Sequence, residues 1–213
     1  QTNISKYIFP IFALVLLIFL IIKPSFILFS TEGPGSMGAP VIISLILGAV
    51  VGVALQRSRI CTAGGFRDAI LIKDTHFLWG ILGIFVFALA GNLVLNFSKF
   101  NLGFVDQPIA HNDFIWNFLG MTLVGLCSIL LGGCPIRQTI LASQGDTDAA
   151  ITVFGLIIGA AFAHNFGLAA SANGVPQNGK IAVIIGILFA LSLAYGVISS
   201  SKKNSNKEGV KNA

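Results

Sequence analysis

Long apolar runs separated by short polar segments dominate the chain. The runs lie at residues 7–29, 41–55, 77–97, 114–131, 149–170 and 181–198. A helix needs about 20 residues, most of them apolar, to cross the hydrocarbon core of a bilayer. All runs but the second reach or approach that length. The pattern therefore predicts an all-α integral membrane protein with about six transmembrane helices.

Two of the runs are interrupted and then resume. The second run stops at the polar residues 56–59, and a weaker apolar stretch follows at 61–72. The fourth run stops at two glycines, 132–133, and is followed by 134–143. Each resumed stretch is too short to cross a bilayer, and each begins with a cysteine. We therefore expect two short re-entrant helices that each carry a cysteine.

The interrupted stretches belong to an internal repeat. A Leu-Gly pair at 47–48 returns at 119–120, and an Asp-Thr pair at 74–75 returns at 146–147, so both pairs recur 72 residues later. Between these pairs, both units carry a cysteine followed by Arg-x-x-Ile-Leu. Internal repeats with interrupted helices are typical of membrane transporters.

The repeat and the polar C-terminus divide the chain. We expect one transmembrane domain over 1–198, with repeat units at about 41–97 and 114–170. Residues 199–213 are polar and rich in lysine, with little apolar surface to bury. Such segments do not gain enough from burial to offset the entropy of ordering, so a disordered cytoplasmic tail is expected there.

Composition and charge agree with a membrane location and indicate an orientation. Of 213 residues, 55% are hydrophobic and 10% are charged, with a mean hydropathy of +0.88; soluble domains carry about 25% charged residues. If the N-terminus lies inside, ten of the 13 Lys and Arg residues face inward, and three, Lys23, Lys99 and Lys180, face outward. This bias predicts a multi-pass protein of the plasma or inner membrane with both termini inside. The basic residues are spread over loops, so no nucleic-acid partner is expected.

Each interruption combines a thiol, a glycine pair, the start of a short helix and an arginine. The residues are Cys61, Gly64, Gly65 and Arg67 in the first unit, and Gly132, Gly133, Cys134 and Arg137 in the second. Irregular backbone at membrane depth is tolerated where it is buried in protein or lines a cavity, and glycine leaves backbone amides accessible. Helix-start amides and arginine attract an anion, while thiols are weak donors suited to soft atoms. The combination predicts a pathway for a small anion that contains sulfur or selenium.

Plainer roles stay open for several of these residues. Cys61 and Cys134 could be inert buried thiols, since free cysteine packs as a small hydrophobe. Cys127 lies in an uninterrupted run, which favours packing. Arg57 and Arg59 favour a role as positive-inside anchors.

Other polar residues fall inside or beside the apolar runs. His164 and Asn165 lie within the fifth run, and Asn92 holds the equivalent place in the first unit. Polar groups within a transmembrane segment are functional candidates, although a structural hydrogen bond between helices would explain them equally. We expect Asp68 and Asp74 to cap helices or pair with the arginines.

Several of these segments resemble the YeeE/YedE membrane transporter family. They are residues 55–68, 73–76, 107–111, 132–138 and 163–168. The similarity extends from about 41 to 198 and is greatest to the YedE-like branch associated with selenium metabolism. Members of the YeeE branch take up thiosulfate, and their cysteines line a central pathway and pass the anion along by S–H contacts. By this resemblance, Cys61 and Cys134 would be the pathway thiols. Typical members are much longer, and this chain resembles their C-terminal half.

The sequence thus favours a permease for a selenium species or thiosulfate over an enzyme, and it indicates no cofactor. Expected partners are the anion, the lipid bilayer, a second half-transporter or second copy of the chain, and a cytoplasmic sulfur-carrier protein. Two alternatives stay open: a membrane thiol–disulfide redox protein, which the lack of a Cys-x-x-Cys pair weakens, and a non-transporting membrane subunit. No metal site is expected, because the thiols and three histidines lack ligand spacing.

Overall fold

The computed structural model describes residues 5–25, 38–95, 111–171 and 173–211, and this part of the chain is helical apart from its turns and one isolated bridge. After a short 3-10 turn at Ser5–Tyr7, the α-helices are α1 (Ile8–Ile22), α2 (Val41–Ser58), α3 (Thr62–Leu71), α4 (His76–Leu95), α5 (Phe114–Leu130), α6 (Pro135–Ser143), α7 (Thr147–Asn165) and α8 (Gln177–Lys211). The order long helix, short helix, long helix occurs twice, as α2–α3–α4 and α5–α6–α7. The expected division into repeat units and a disordered tail stays a prediction.

Five segments of the described residues are long and apolar enough to cross a membrane. They are Val41–Leu71, His76–Leu95, Phe114–Ser143, Thr147–Asn165 and Gln177–Ser200. Most of their large apolar side chains are exposed, as a lipid environment requires. The prediction of an all-α membrane protein is confirmed.

Several predicted boundaries differ from the observed helices. Helix α1 has 15 residues, about 22 Å at the α-helical rise, so it is shorter than the predicted first span. The remainder of that span at 26–29, the end of the third span at 96–97, and residues 107–110 lie outside the described residues. Helix α2 continues past residue 55 to Ser58, because the Ser58 hydroxyl donates to the Leu55 carbonyl (3.3 Å) and Arg59 closes the helix in a left-handed conformation (φ 51°).

The fifth predicted span is also too long. Helix α7 ends at Asn165 because Gly167 adopts a left-handed conformation (φ 61°) and the Leu168 amide turns back to the Ala163 carbonyl (2.8 Å). This is the Schellman type of helix end. His164 and Asn165 therefore lie in the last turn of α7, at the end of the apolar segment Thr147–Asn165.

The chain divides into two compact units. The first comprises Gln1–Phe100 and Gly133–Gly159. In it, α1 and α2 pack on α6, and α3 packs on α4. Its buried core is made of Phe9, Ala142, Ala149, Ala150 and Val153, with Phe12, Leu141 and Phe154 packed against them. This core fixes α6 between longer helices of the same unit.

The second unit comprises Asn101–Gly132 and Ala160–Ala213, and its main contact is between α5 and α8. The two helices approach closely at Gly186, where a side-chain carbon would lie 2.7 Å from Leu123 Cδ2. The loop before α8 is tied to the start of α5, because the Val175 amide donates to Asp113 Oδ2 (2.8 Å). Small residues at such contacts are typical of helices packed in membranes.

Candidate functional site

The side chain of a cysteine caps the start of helix α3. Cys61 has an extended backbone (φ −140°, ψ 115°), and its Sγ accepts a hydrogen bond from the Gly64 amide at 3.3 Å. The first amides of a helix have no partner within the helix, and oxygen side chains usually satisfy them. Here a sulfur atom does so, which holds the thiol against the start of α3.

Helix α6 also follows an extended cysteine, Cys134, whose side chain makes no capping hydrogen bond, and its start meets that of α3. Cys134 is extended (φ −70°, ψ 162°), and Pro135 opens the helix. The Cys134 amide donates to Cys61 Sγ at 3.4 Å. Cys61 Sγ therefore accepts an amide from each of the two helix starts, and residues 73 positions apart are brought together within the first unit.

The surroundings of the Cys134 thiol are polar although the residue is 3% exposed. The Thr62 side chain, the Thr62 and Arg137 backbone amides and the Cys61 thiol are its polar neighbours. Both cysteines are free thiols. Thr62 is a member of the site that sequence reasoning missed, because its position beside Cys134 depends on the contact between the two helix starts.

This arrangement gives the paired cysteines the properties of a weak anion site. Two helix N-termini carry the positive ends of their helix dipoles to one place, and their first amides lie beside the two thiols. A thiol is a weak donor, so it can contact a soft atom without holding it strongly.

The glycine pairs differ from the sequence prediction in the first repeat unit. Gly64 and Gly65 lie inside the first turn of α3 and not in a loop before it. The helix starts earlier because Cys61 caps it. Gly65 is buried against α4, where a side-chain carbon would lie 3.2 Å from Phe77 Cβ and from Ile81 Cδ1. Its small size therefore serves helix packing.

The second glycine pair does lie in the break. Gly132 adopts a left-handed conformation (φ 72°), which glycine enters without steric cost. Gly133 is buried directly before Cys134, and a side-chain carbon there would lie 3.3 Å from Arg137 Cγ and Gln138 Nε2. These two glycines shape the approach to α6.

The two predicted arginines have different environments. Arg67 pairs with Asp68 (Nε to Oδ1, 2.8 Å) on an exposed surface, and Asp74 accepts the His76 amide at the start of α4 (2.9 Å). These contacts match the expected roles of the two aspartates. Arg137 instead lines an open cleft of about 800 Å³ together with Arg57 and Arg59.

The remaining candidates lie on α4, α5 and α7. Cys127 lies within α5 in the second unit, in keeping with packing. His164 and Asn165 are exposed at the end of α7. Asn92 is exposed near the end of α4, about 16 Å along the helix from Ile81, which contacts α3. Among the described residues, no group of three or more His, Cys, Asp or Glu side chains is placed to hold a metal ion.

Comparison with known proteins identifies relatives of this chain. A family model described as "Sulphur transport" matches residues 57–204. The thiosulfate transporter TsuA of Spirochaeta thermophila is 32% identical over 105 residues, which is 49% of this chain and 31% of that protein. The thiosulfate transporter TsuA of Escherichia coli is 27% identical over 118 residues, which is 55% of this chain and 32% of that protein. No solved structure matches.

The matched region contains both short helices that follow a cysteine, α3 and α6, and the arginines around them. The aligned part covers about a third of the length of each curated relative. The family model covers well over half of this chain. The chain therefore belongs to the sulphur-transport family of YeeE/YedE membrane proteins.

Proposed function

We infer that this protein is a permease that carries a small sulfur-containing oxyanion of the thiosulfate class across the membrane. The observation that carries the proposal is the hydrogen bond from the Cys134 amide to Cys61 Sγ, which joins two helix starts and two thiols within the matched region. The two curated relatives are named as thiosulfate transporters, which supports the same class of substrate.

The proposed mechanism is a relay of weak contacts without covalent chemistry. Thiosulfate carries charged oxygens and one soft terminal sulfur. The dipoles and amides at the starts of α3 and α6 stabilise its charge, while the Cys61 and Cys134 thiols donate S–H contacts to the sulfur. Conduction needs sites that bind well enough to admit the ion and weakly enough to release it, and thiols fulfil the second condition.

The remaining features of the proposal concern where and with what the protein works. We place it in the plasma or inner membrane with both termini inside, because the positive charges are concentrated on that side. Selenium oxyanions are the second substrate class, since selenium shares the softness of sulfur. A second copy of the chain or a second half-transporter, and a cytoplasmic sulfur-carrier protein, are the proposed partners.

Uptake measurements test the relay directly. Cells without their own thiosulfate uptake would express the protein or its Cys61→Ala and Cys134→Ala variants and receive radiolabelled thiosulfate. We expect each variant to lower the uptake rate roughly tenfold, because losing one hydrogen-bonding group to the ion costs about 1–2 kcal/mol.

The matched control is Cys127→Ala, which removes the third cysteine from α5 and should leave the rate unchanged. Full uptake by the Cys61→Ala and Cys134→Ala variants would contradict the relay. A parallel measurement with labelled selenite tests the second substrate class.

One alternative has a specific observation in its favour. The Cys61 and Cys134 thiols are neighbours, as a membrane thiol–disulfide protein would require. Mass spectrometry of the protein from growing cells distinguishes the two functions. A substantial Cys61–Cys134 disulfide population that changes with the redox state of the medium would favour the redox function, and free thiols throughout would favour the relay.

A further inference from the structure

A polar cleft of about 800 Å³ lies between the C-terminal part of α2 and α6, within the first unit. Its lining residues are Val53, Gln56, Arg57, Arg59, Arg137 and Gln144. We propose that this cleft is a second anion-binding site, separate from the cysteine pair, for a small divalent oxyanion. The inference rests on the proposed function for the identity of the ion.

The charge of the lining is the first argument. Three arginines and two glutamines line one cavity, and none of its lining residues is a carboxylate. Within the described residues, the one ion pair joins Arg67 to Asp68, so the cleft arginines make none there. Guanidinium groups present planar sets of donors that match the oxygens of an oxyanion.

Helix dipoles provide the second argument. Arg57 and Arg59 stand at the C-terminal end of α2, where the helix dipole stabilises positive charge. Arg137 stands in the first turn of α6, where the dipole disfavours it. Anchoring at the membrane surface explains the first two residues and does not explain why Arg137 joins them. A bound anion would stabilise all three charges and the start of α6 together.

The cleft is connected to the cysteine pair through a single residue. The Arg137 backbone amide lies beside the Cys134 thiol, and the same residue lines the cleft. An ion that leaves the thiols therefore meets the guanidinium group of the same helical turn. We assign the cleft as the anion-binding site next to the cysteine pair along the transport pathway.

The two sites should recognise different parts of the ion. The cleft offers donors to charged oxygens and no thiol, so sulfate should compete there as well as thiosulfate does. The cysteine pair offers soft S–H donors that distinguish the terminal sulfur. The thiols therefore distinguish thiosulfate from sulfate, and the cleft attracts both ions.

Equilibrium binding of radiolabelled thiosulfate to the purified full chain in lipid nanodiscs tests the cleft. The combined variant Arg57→Gln/Arg59→Gln/Arg137→Gln should weaken binding by at least about tenfold, and unlabelled sulfate should compete in the parent protein. The corresponding triple lysine variant keeps the charge and should retain part of the affinity. Lys73→Gln is the matched control, since it removes one positive charge from outside the cleft. Size-exclusion profiles identify any variant that does not fold.

The outcomes separate this site from the cysteine relay. Unchanged thiosulfate binding in a folded triple glutamine variant overturns the proposal that the cleft binds anions. Loss of binding in a Cys61→Ser/Cys134→Ser double variant, which keeps a capping oxygen at α3 and leaves the arginines intact, also overturns it, because all the ions would then bind at the thiols. Uptake that survives the cysteine changes but fails in the triple glutamine variant would leave the cleft standing and contradict the relay.

Discussion

At the scale of single residues, Cys61 combines a structural contact with a chemical one. Its Sγ accepts the Gly64 amide within α3 and the Cys134 amide at the start of α6. The same atom therefore caps one helix and fixes the position of the next. An alanine at this position would lose both the cap and the thiol, so it cannot separate the two roles.

Cys61→Ser separates them. A hydroxyl oxygen caps helices well, so we expect the melting temperature to stay within a few degrees of the parent value. We also expect thiosulfate uptake to fall, because a hydroxyl is a poorer partner for a soft sulfur atom than a thiol is. Thermal unfolding in detergent and radiolabelled uptake provide the two readouts. Cys127→Ser is the control, and a Cys61→Ser protein that transports at the parent rate would assign Cys61 to capping alone.

The residues of the cysteine pair could be predicted from sequence because a repeated motif marks them. Each cysteine begins a short apolar stretch after an interrupted run, and the two stretches share the same order of residues. The sequence does not indicate that Gly64 and Gly65 lie within α3, since two glycines favour irregular backbone unless a cap lies before them. The position of Thr62 beside Cys134 depends on the contact between two helix starts, and the sequence contains no local signal of that distance.

At the scale of elements, the short helices are held by neighbours and not by their own length. Helix α3 has ten residues and α6 has nine, below the length at which isolated helices are stable. Helix α3 packs on α4, and α6 packs on α1 and α2. Short helices that depend on packing can present their first amides to a ligand only while those contacts are intact.

Gly65→Val tests that dependence for α3. The added side chain would meet Phe77 Cβ and Ile81 Cδ1 at about the 3.2 Å separation of a first carbon, so α3 must move away from α4. Overpacking of this kind costs about 1–3 kcal/mol. We expect a lower melting temperature by differential scanning fluorimetry, together with reduced uptake.

Gly83→Ala is the control within α4, because a side-chain carbon there meets nothing within 4 Å, and alanine favours the helix. Equal melting temperatures for Gly65→Val and the parent protein would show that the α3–α4 contact tolerates the change.

The cleft residues belong to this scale as well. The grouping of Arg137 with Arg57 and Arg59 follows from the packing of α2 on α6, which apolar patterning does not specify.

At the scale of the whole molecule, hydropathy predicts that this is a membrane protein, but it does not predict every helix end. Lipid-facing segments must form their backbone hydrogen bonds within the segment and therefore as helices. Five such segments could be recognised from composition and length. The ends were less predictable. Helix α2 runs through three polar residues to Ser58, and α7 stops early at a left-handed glycine, because capping geometry and not hydropathy decides where each helix ends.

Orientation is the property of the whole chain that its charge predicts most directly. Ten of 13 Lys and Arg residues lie on one side when helices alternate across the bilayer, and such residues are retained on the cytoplasmic side. We therefore expect a green fluorescent protein fused after Ala213 to fluoresce, and alkaline phosphatase fused at the same place to be inactive, because the first matures in the cytoplasm and the second outside it. The reverse pair of results would contradict the orientation. It would also put the arginine cleft, at the end of α2, on the side where an ion enters and not where it leaves.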